Sequence, residues 1–178
     1  MRKALYFLGI LDDKDTEWMI RNGTKMKIAP GTVLIEQGKP TEWLYFVLDG
    51  AFIVYTRNAP RIATLKAGEV VGEISFVDSR PPTASVRAEV ECKVGAVPRR
   101  VLNEKLEEDV GFAARFYQSI AVFLADRLRT TVGSLGVQKL ELVESIEDTD
   151  ELASHLLGNV SMAGTRFAEM QRRDWGSH

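Results

Sequence analysis

The chain has 178 residues, a formal net charge of −2, 45% hydrophobic and 27% charged residues, a composition that fits one well-buried core with a helical appendage and excludes two ordinary domains. Its charge balance offers no positive field to a nucleic-acid backbone, and no stretch reaches the ~18 uninterrupted apolar residues of a membrane span. One cysteine, Cys92, and two histidines, His155 and His178, exclude a disulfide framework and a histidine-held metal in the β-rich part of the chain.

Residues 1–23 read as helices. Leu5, Leu8, Leu11, Trp18 and Met19 stand apolar among charges, and Asp15 is placed to cap a second short helix that ends at Asn22-Gly23. The basic start at Arg2 and Lys3 does not extend into a secretory leader, because Asp12, Asp13 and Asp15 cut the apolar stretch after Leu11. A cytoplasmic protein without membrane association is the expectation.

From residue 24 to residue 97, short runs rich in Ile, Val, Tyr and Phe alternate with Pro30-Gly31, Gly38-Lys39-Pro40, Asp49-Gly50, Asn58-Ala59-Pro60 and Gly68. Such spacing predicts an antiparallel sandwich or barrel. One short helix interrupts it at Glu73–Asp78, where Gly72 tolerates an unusual backbone angle and the residues that follow lack strand alternation. Cys92 lies in the strand-like run from Val90 to Val94 and reads as a buried, unreactive thiol.

After Pro98 the pattern turns helical. Val101, Leu102 and Leu106 give one helix. Phe112, Phe116, Ile120, Phe123, Leu124, Leu128 and Leu135 recur at three- and four-residue steps and predict a long amphipathic helix from Asp109 to about Leu135. Tyr117, Ala121 and Val122 widen its apolar band, which points to a homodimer through Phe116, Ile120, Phe123 and Leu128, or to cover by the tail helix. Residues 141–151 read as an acidic, solvated linker. Leu152, Leu156, Val160, Ala163, Phe167 and Met170 then form a last amphipathic helix, weakened at Gly158 and Gly164.

The chemistry lies in two stretches, Leu65-Lys66-Ala67-Gly68-Glu69-Val70-Val71-Gly72-Glu73-Ile74-Ser75-Phe76 and Arg80-Pro81-Pro82-Thr83-Ala84-Ser85-Val86. They resemble, without a gap, the cassette of the cyclic nucleotide-binding domain family (the catabolite activator protein-like β-roll): Phe-Gly-Glu, a short helix, then Pro-Arg-Ala-Ala-Thr-Val. Gly31, Ile35 to Gly38 and Leu44 to Gly50 are similar to the family's earlier turns and central strand. The resemblance implies an α+β fold: an antiparallel β-roll of the double-stranded β-helix or jelly-roll type, flanked by N-terminal helices, a long C-terminal helix and a short helical tail. The domain would span residues 1–135, with N-terminal helices at 1–23, the β-roll at 24–97 and C-terminal helices at 98–135. Residues 136–178 would be the acidic linker and tail of a small, stand-alone, bacterial-type member.

The same resemblance assigns a ligand site to Val71, Gly72, Glu73, Ile74, Ser75, Arg80, Pro82, Thr83, Ala84, Ser85, Arg127 and Thr131. Gly72 admits the ligand close to the backbone, and amides at the start of helix 73–78 face the cyclic phosphate. Glu73 accepts from the ribose 2′-hydroxyl, or else merely stabilises a helix N-terminus. Arg127 falls where an arginine pairs with that glutamate. Thr131 either reads the adenine edge or sits on the solvent side, and Ser85 faces the nucleotide or the neighbouring strand.

One position departs from the family pattern: the arginine that pairs with the phosphate is replaced by Pro82. Arg80 either reaches the same phosphate or is a plain loop arginine, and Thr83 follows with a hydroxyl and an amide. The predicted function is a non-enzymatic cyclic nucleotide receptor, cAMP favoured over cGMP, without a cofactor, that couples binding to movement of the C-terminal helices and to a protein partner. The alternative is a degenerate β-roll acting as an interaction module. DNA binding ranks third, because the basic residues Arg166, Arg172 and Arg173 lack a second helix at turn spacing.

Overall fold

The computed structural model describes residues 7–134 and 149–176. Leu5, Leu135, His178 and most of the expected acidic linker lie outside the described residues. A helical turn, α1 (residues 7–10), leads into α2 (Asp13–Asn22). Asp12 caps α2 in place of the expected Asp15: its carboxylate accepts from the Asp15 N–H at 2.8 Å, and the Asp15 carboxylate accepts from the Asp12 N–H at 2.9 Å. This reciprocal capping box satisfies two otherwise orphaned donors. Asp15 is itself 4% exposed and takes both Nε and Nη2 of Arg115 at 2.6 and 2.8 Å.

The β region holds β1 (Thr24–Ile28), β2 (Val33–Ile35), β3 (Trp43–Asp49), β4 (Ala51–Thr56), β5 (Ala59–Lys66), β6 (Val70–Val71), β7 (Ser85–Ala88) and β8 (Cys92–Pro98), with α3 (Glu73–Val77) between β6 and β7. Two four-stranded antiparallel sheets form, in the orders β1-β8-β3-β6 and β2-β7-β4-β5. The apolar run of β3 follows from its place. Leu44, Phe46 and Leu48 join the core beneath the helices, while Tyr45 and Val47 join the core between the sheets. A strand covered on both faces needs apolar residues at every position, and a one-residue slip would exchange the two sets. Each such side chain contributes about 1.5–3 kcal/mol by leaving water.

Three helices follow: α4 (Arg99–Glu108), α5 (Val110–Ser134) and α6 (Thr149–Arg172). The last runs unbroken through Gly158 and Gly164 and starts inside the stretch expected as linker. The homodimer contact expected on α5 needs correction, because Phe116, Ile120 and Phe123 are at most 2% exposed and only Leu128, at 65%, faces outward. Their cover comes from within the chain: Phe7, Leu8 and Leu11 from the N-terminus, and Ala163, Phe167 and Met170 from α6, pack in the same core.

Polar contacts hold α6 in place. Arg166 donates to Asp13 at 2.6 Å and to the Leu8 carbonyl at 2.8 Å, and Gln171 donates to the Leu48 carbonyl at 2.6 Å. Beyond α6, Trp175 is seated against Gly95, where a Cβ would stand 2.2 Å from its ring, and its indole N–H donates to the Met170 carbonyl at 3.0 Å.

Candidate functional site

The site is built where β6 turns into α3. Gly72 has φ +94, a left-handed angle that favours glycine, and a Cβ there would stand 3.3 Å from the Trp43 carbonyl oxygen. Arg99, the first residue of α4, locks this turn from behind. Its Nη2 donates to the Gly72 carbonyl and to the Ser75 hydroxyl, both at 2.6 Å, its Nη1 to the Ser75 carbonyl at 3.1 Å, and its Nε to the Trp43 carbonyl at 3.4 Å. Sequence reasoning missed Arg99. A signal was present in the register Trp43↔Pro98, which brings the start of α4 beside the cassette once β3 and β8 pair, but register is not readable from one strand.

Glu73 opens α3 and is 2% exposed. Arg127 of α5 donates to its carboxylate through Nη1 and meets Glu69 Oε2 at 3.3 Å through Nη2. The same guanidinium lies over the Phe123 ring, 4.7 Å from its centroid. Burial pushes the Glu73 carboxyl above the usual carboxylate range, and the charge of Arg127 opposes that rise. Glu73 thus stands in the first turn of α3 and carries the expected pairing with Arg127.

Beneath α3 and the loop that follows lies a cavity of about 170 Å³. Its floor is apolar: Ile35, Val54, Leu65, Val71 and Val86, of which only Val71 is among the sequence candidates. The other four are strand residues, indistinguishable in sequence from any inward position of a β protein. Gly72, Glu73, Ile74 and Ser75 form one wall, Arg80, Pro82, Thr83 and Ala84 another, and Arg127 closes a side.

Two candidates stand elsewhere. The Ser85 hydroxyl accepts from the Gln37 N–H at 2.9 Å, so it ties β7 to the turn after β2. Thr131 is outside the lining, and its hydroxyl donates to the Arg127 carbonyl one helical turn back, at 2.9 Å. Pro82 is pinned through its carbonyl, which accepts from the Gly38 N–H at 2.8 Å. The lining carries the carboxylates Glu73 and Asp78 and the guanidinium groups of Arg80 and Arg127. Because Arg127 is engaged by Glu73 and Glu69, Arg80 is the lining cation best placed to meet an anion.

Two four-stranded antiparallel sheets, with a short helix and loop folded over an apolar cavity and a long helix ion-paired to that helix, define a β-roll domain. Residues 25–109 match the model of the cyclic nucleotide-binding domain family, and over that span the chain belongs to it. The chain is 28% identical over 130 residues to the potassium/sodium hyperpolarization-activated cyclic nucleotide-gated channel 2 of Mus musculus, a match covering 71% of this chain and 15% of the channel. It therefore spans a small part of that relative's length.

Among solved structures, a cyclic nucleotide-binding domain from Methylobacillus flagellatus is similar with a TM-score of 0.67 at 18% identity, covering 75% of this chain and 80% of that one. The N-terminal domain of a transcriptional regulator from Streptomyces coelicolor is similar with a TM-score of 0.55 at 26% identity, covering 68% and 86%. Among the described residues no helix is long and apolar enough to cross a membrane, and no group of three His, Cys, Asp or Glu side chains could hold a metal ion.

Proposed function

We propose that the cavity beneath α3 binds a cyclic nucleotide, cAMP in the first instance, and that occupancy is relayed to α5 and onward to a protein partner. The observation that carries this reading is Glu73, a buried carboxylate at the cavity wall held by an arginine of α5. Ribose hydroxyls entering there would donate to Glu73 and compete for the carboxylate that Arg127 engages, so ligand and helix position are linked. Thr83 and the long side chain of Arg80 would meet the phosphate, and the apolar floor would take the base. The site ligands of this reading are Gly72, Glu73, Ser75, Arg80, Thr83, Ala84 and Arg127, with Val71 and Ile74 in packing roles.

Calorimetric titration with cAMP and cGMP tests it. Saturable binding that Glu73→Ala abolishes is the expected result; no heat at millimolar ligand overturns it. Pro82 favours a second reading, a β-roll that has given up nucleotide binding and serves as an interaction module. In that case neither nucleotide binds while the fold melts cooperatively.

A further inference from the structure

The loop at residues 79–82 has a second face. Beside the first cavity, and sharing Ser75, Arg80, Pro81 and Pro82 with it, the loop, the turn at Pro40 and Thr41, α3 and α4 line a second cavity of about 230 Å³. Two arginines, Arg80 and Arg99, line it, and no carboxylate does among the described residues. The hydrogen-bond acceptors found for the half-buried guanidinium of Arg99 are neutral, three carbonyls and one hydroxyl. They take its Nε hydrogen, both Nη2 hydrogens and one Nη1 hydrogen, which leaves one Nη1 hydrogen for another acceptor. Burial pulls the Arg99 guanidinium below the usual arginine range, and the nearby Tyr45 and Glu73 groups only partly oppose this, although among the described residues no carboxylate accepts a hydrogen bond from it.

We propose that this second cavity binds a phosphoryl group. Arg99 and Asn103 approach from the helix side, Arg80 and Ser79 from the loop side. A planar carboxylate is satisfied by one bidentate fork, whereas donors arriving from opposite walls suit a tetrahedral oxyanion with more acceptor directions. The ligand class is therefore a phosphate or a small phosphate monoester, held by its phosphoryl end. Nothing in this assignment requires the first cavity to be filled.

The test is titration of ¹⁵N-labelled protein with inorganic phosphate, and in a parallel arm with phenyl phosphate, at ionic strength held constant with chloride. Saturable amide shifts at Ser79, Arg80, Arg99 and Asn103 are expected, with a dissociation constant on the order of 1 mM. Arg80→Ala should weaken binding about tenfold, the loss of one charge-assisted contact. Asn103→Ala should weaken it too while leaving a cyclic nucleotide titration of the same sample unchanged, so the two cavities are read separately. Both residues are exposed, so these variants decide the matter even if Arg99→Gln fails to fold. Absence of saturable shifts, equal binding of acetate, or indifference to both substitutions overturns the proposal.

Discussion

Replacing Pro82 with arginine would put back, on the cavity wall, the cation that the family places one residue after the cassette proline. The exchange disturbs little around it. The Pro82 carbonyl keeps the Gly38 N–H it accepts at 2.8 Å, and proline has no N–H to lose. Removing the ring costs about 0.4–1 kcal/mol through the freer unfolded chain. In return, a guanidinium donating to a cyclic phosphate contributes about 1.5–3 kcal/mol, or roughly ten- to a hundredfold in affinity. The neighbouring charge of Arg80, on the same lining, repels the new cation and places the gain at the lower end, near tenfold. Calorimetry of wild type, Pro82→Ala and Pro82→Arg with cAMP and cGMP separates loss of the ring from gain of the charge. Equal affinity of the alanine and arginine variants would refute the reasoning, because the phosphate would then not lie against residues 80–83.

Three further outcomes follow from the geometry. Arg127→Ala leaves the buried Glu73 charge unpaired and should cost about 3 kcal/mol, the lower end for such a loss, since the arginine side chain is 25% exposed; urea denaturation measures it, and a cost under about 0.5 kcal/mol, typical of a surface substitution, would mean that Glu73 is not held by this pair. Trp175→Ala should cost about 3–5 kcal/mol, and Gly95→Ala should also be strongly destabilising because its Cβ would stand 2.2 Å from the Trp175 ring; a double variant far less damaged than the sum shows that the two share one contact, and additivity would contradict the packing. Because the Glu73 carboxyl is raised from its ordinary value of 4.5, the native state holds more protons than the unfolded one between 4.5 and the higher native value. Stability relative to Glu73→Gln should therefore rise as pH falls through that window and be fully present below it; urea midpoints that move the other way would mean Arg127 outweighs burial.

Much of the fold was legible because its signals are local. Turn residues at Asp49-Gly50 and Gly72, the short apolar runs between turns and the three- and four-residue steps of α5 each report a local length, period or angle that needs no knowledge of the partner. The cassette was legible as a contiguous motif. What escaped were contacts between distant segments. Asp12 and Asp15 are equally good caps in sequence, and only Arg115, a hundred positions away, shows which of them is committed to the interior. The apolar excess on α5 could be covered by a second copy or by the chain's own tail, and the periodicity of α6 is the same in either case. Trp175 announced itself only through two glycines, Gly23 and Gly95, whose missing side chains make room for its ring.

The helix that carries Arg127 is anchored at two points along its length. Arg115 and Arg127 lie on the same α5, about 18 Å apart along its axis at ~1.5 Å per residue; one grips Asp15 of α2 and the other Glu73 of α3. Between them Phe116, Ile120 and Phe123 are buried in the core that Ala163 and Met170 of α6 complete. Close-packed interiors do not deform continuously. A ligand that draws Glu73 away from Arg127 therefore has two outlets: α5 pivots about its Arg115 end, or it carries α2 and α6 with it. A pivot moves the C-terminal end of α5 most, where Leu128 is already exposed, whereas a concerted shift must break the contacts of Arg166 and Trp175 first. The first route disrupts fewer buried contacts, which makes the outer end of α5 the natural surface on which occupancy of the cavity would be read.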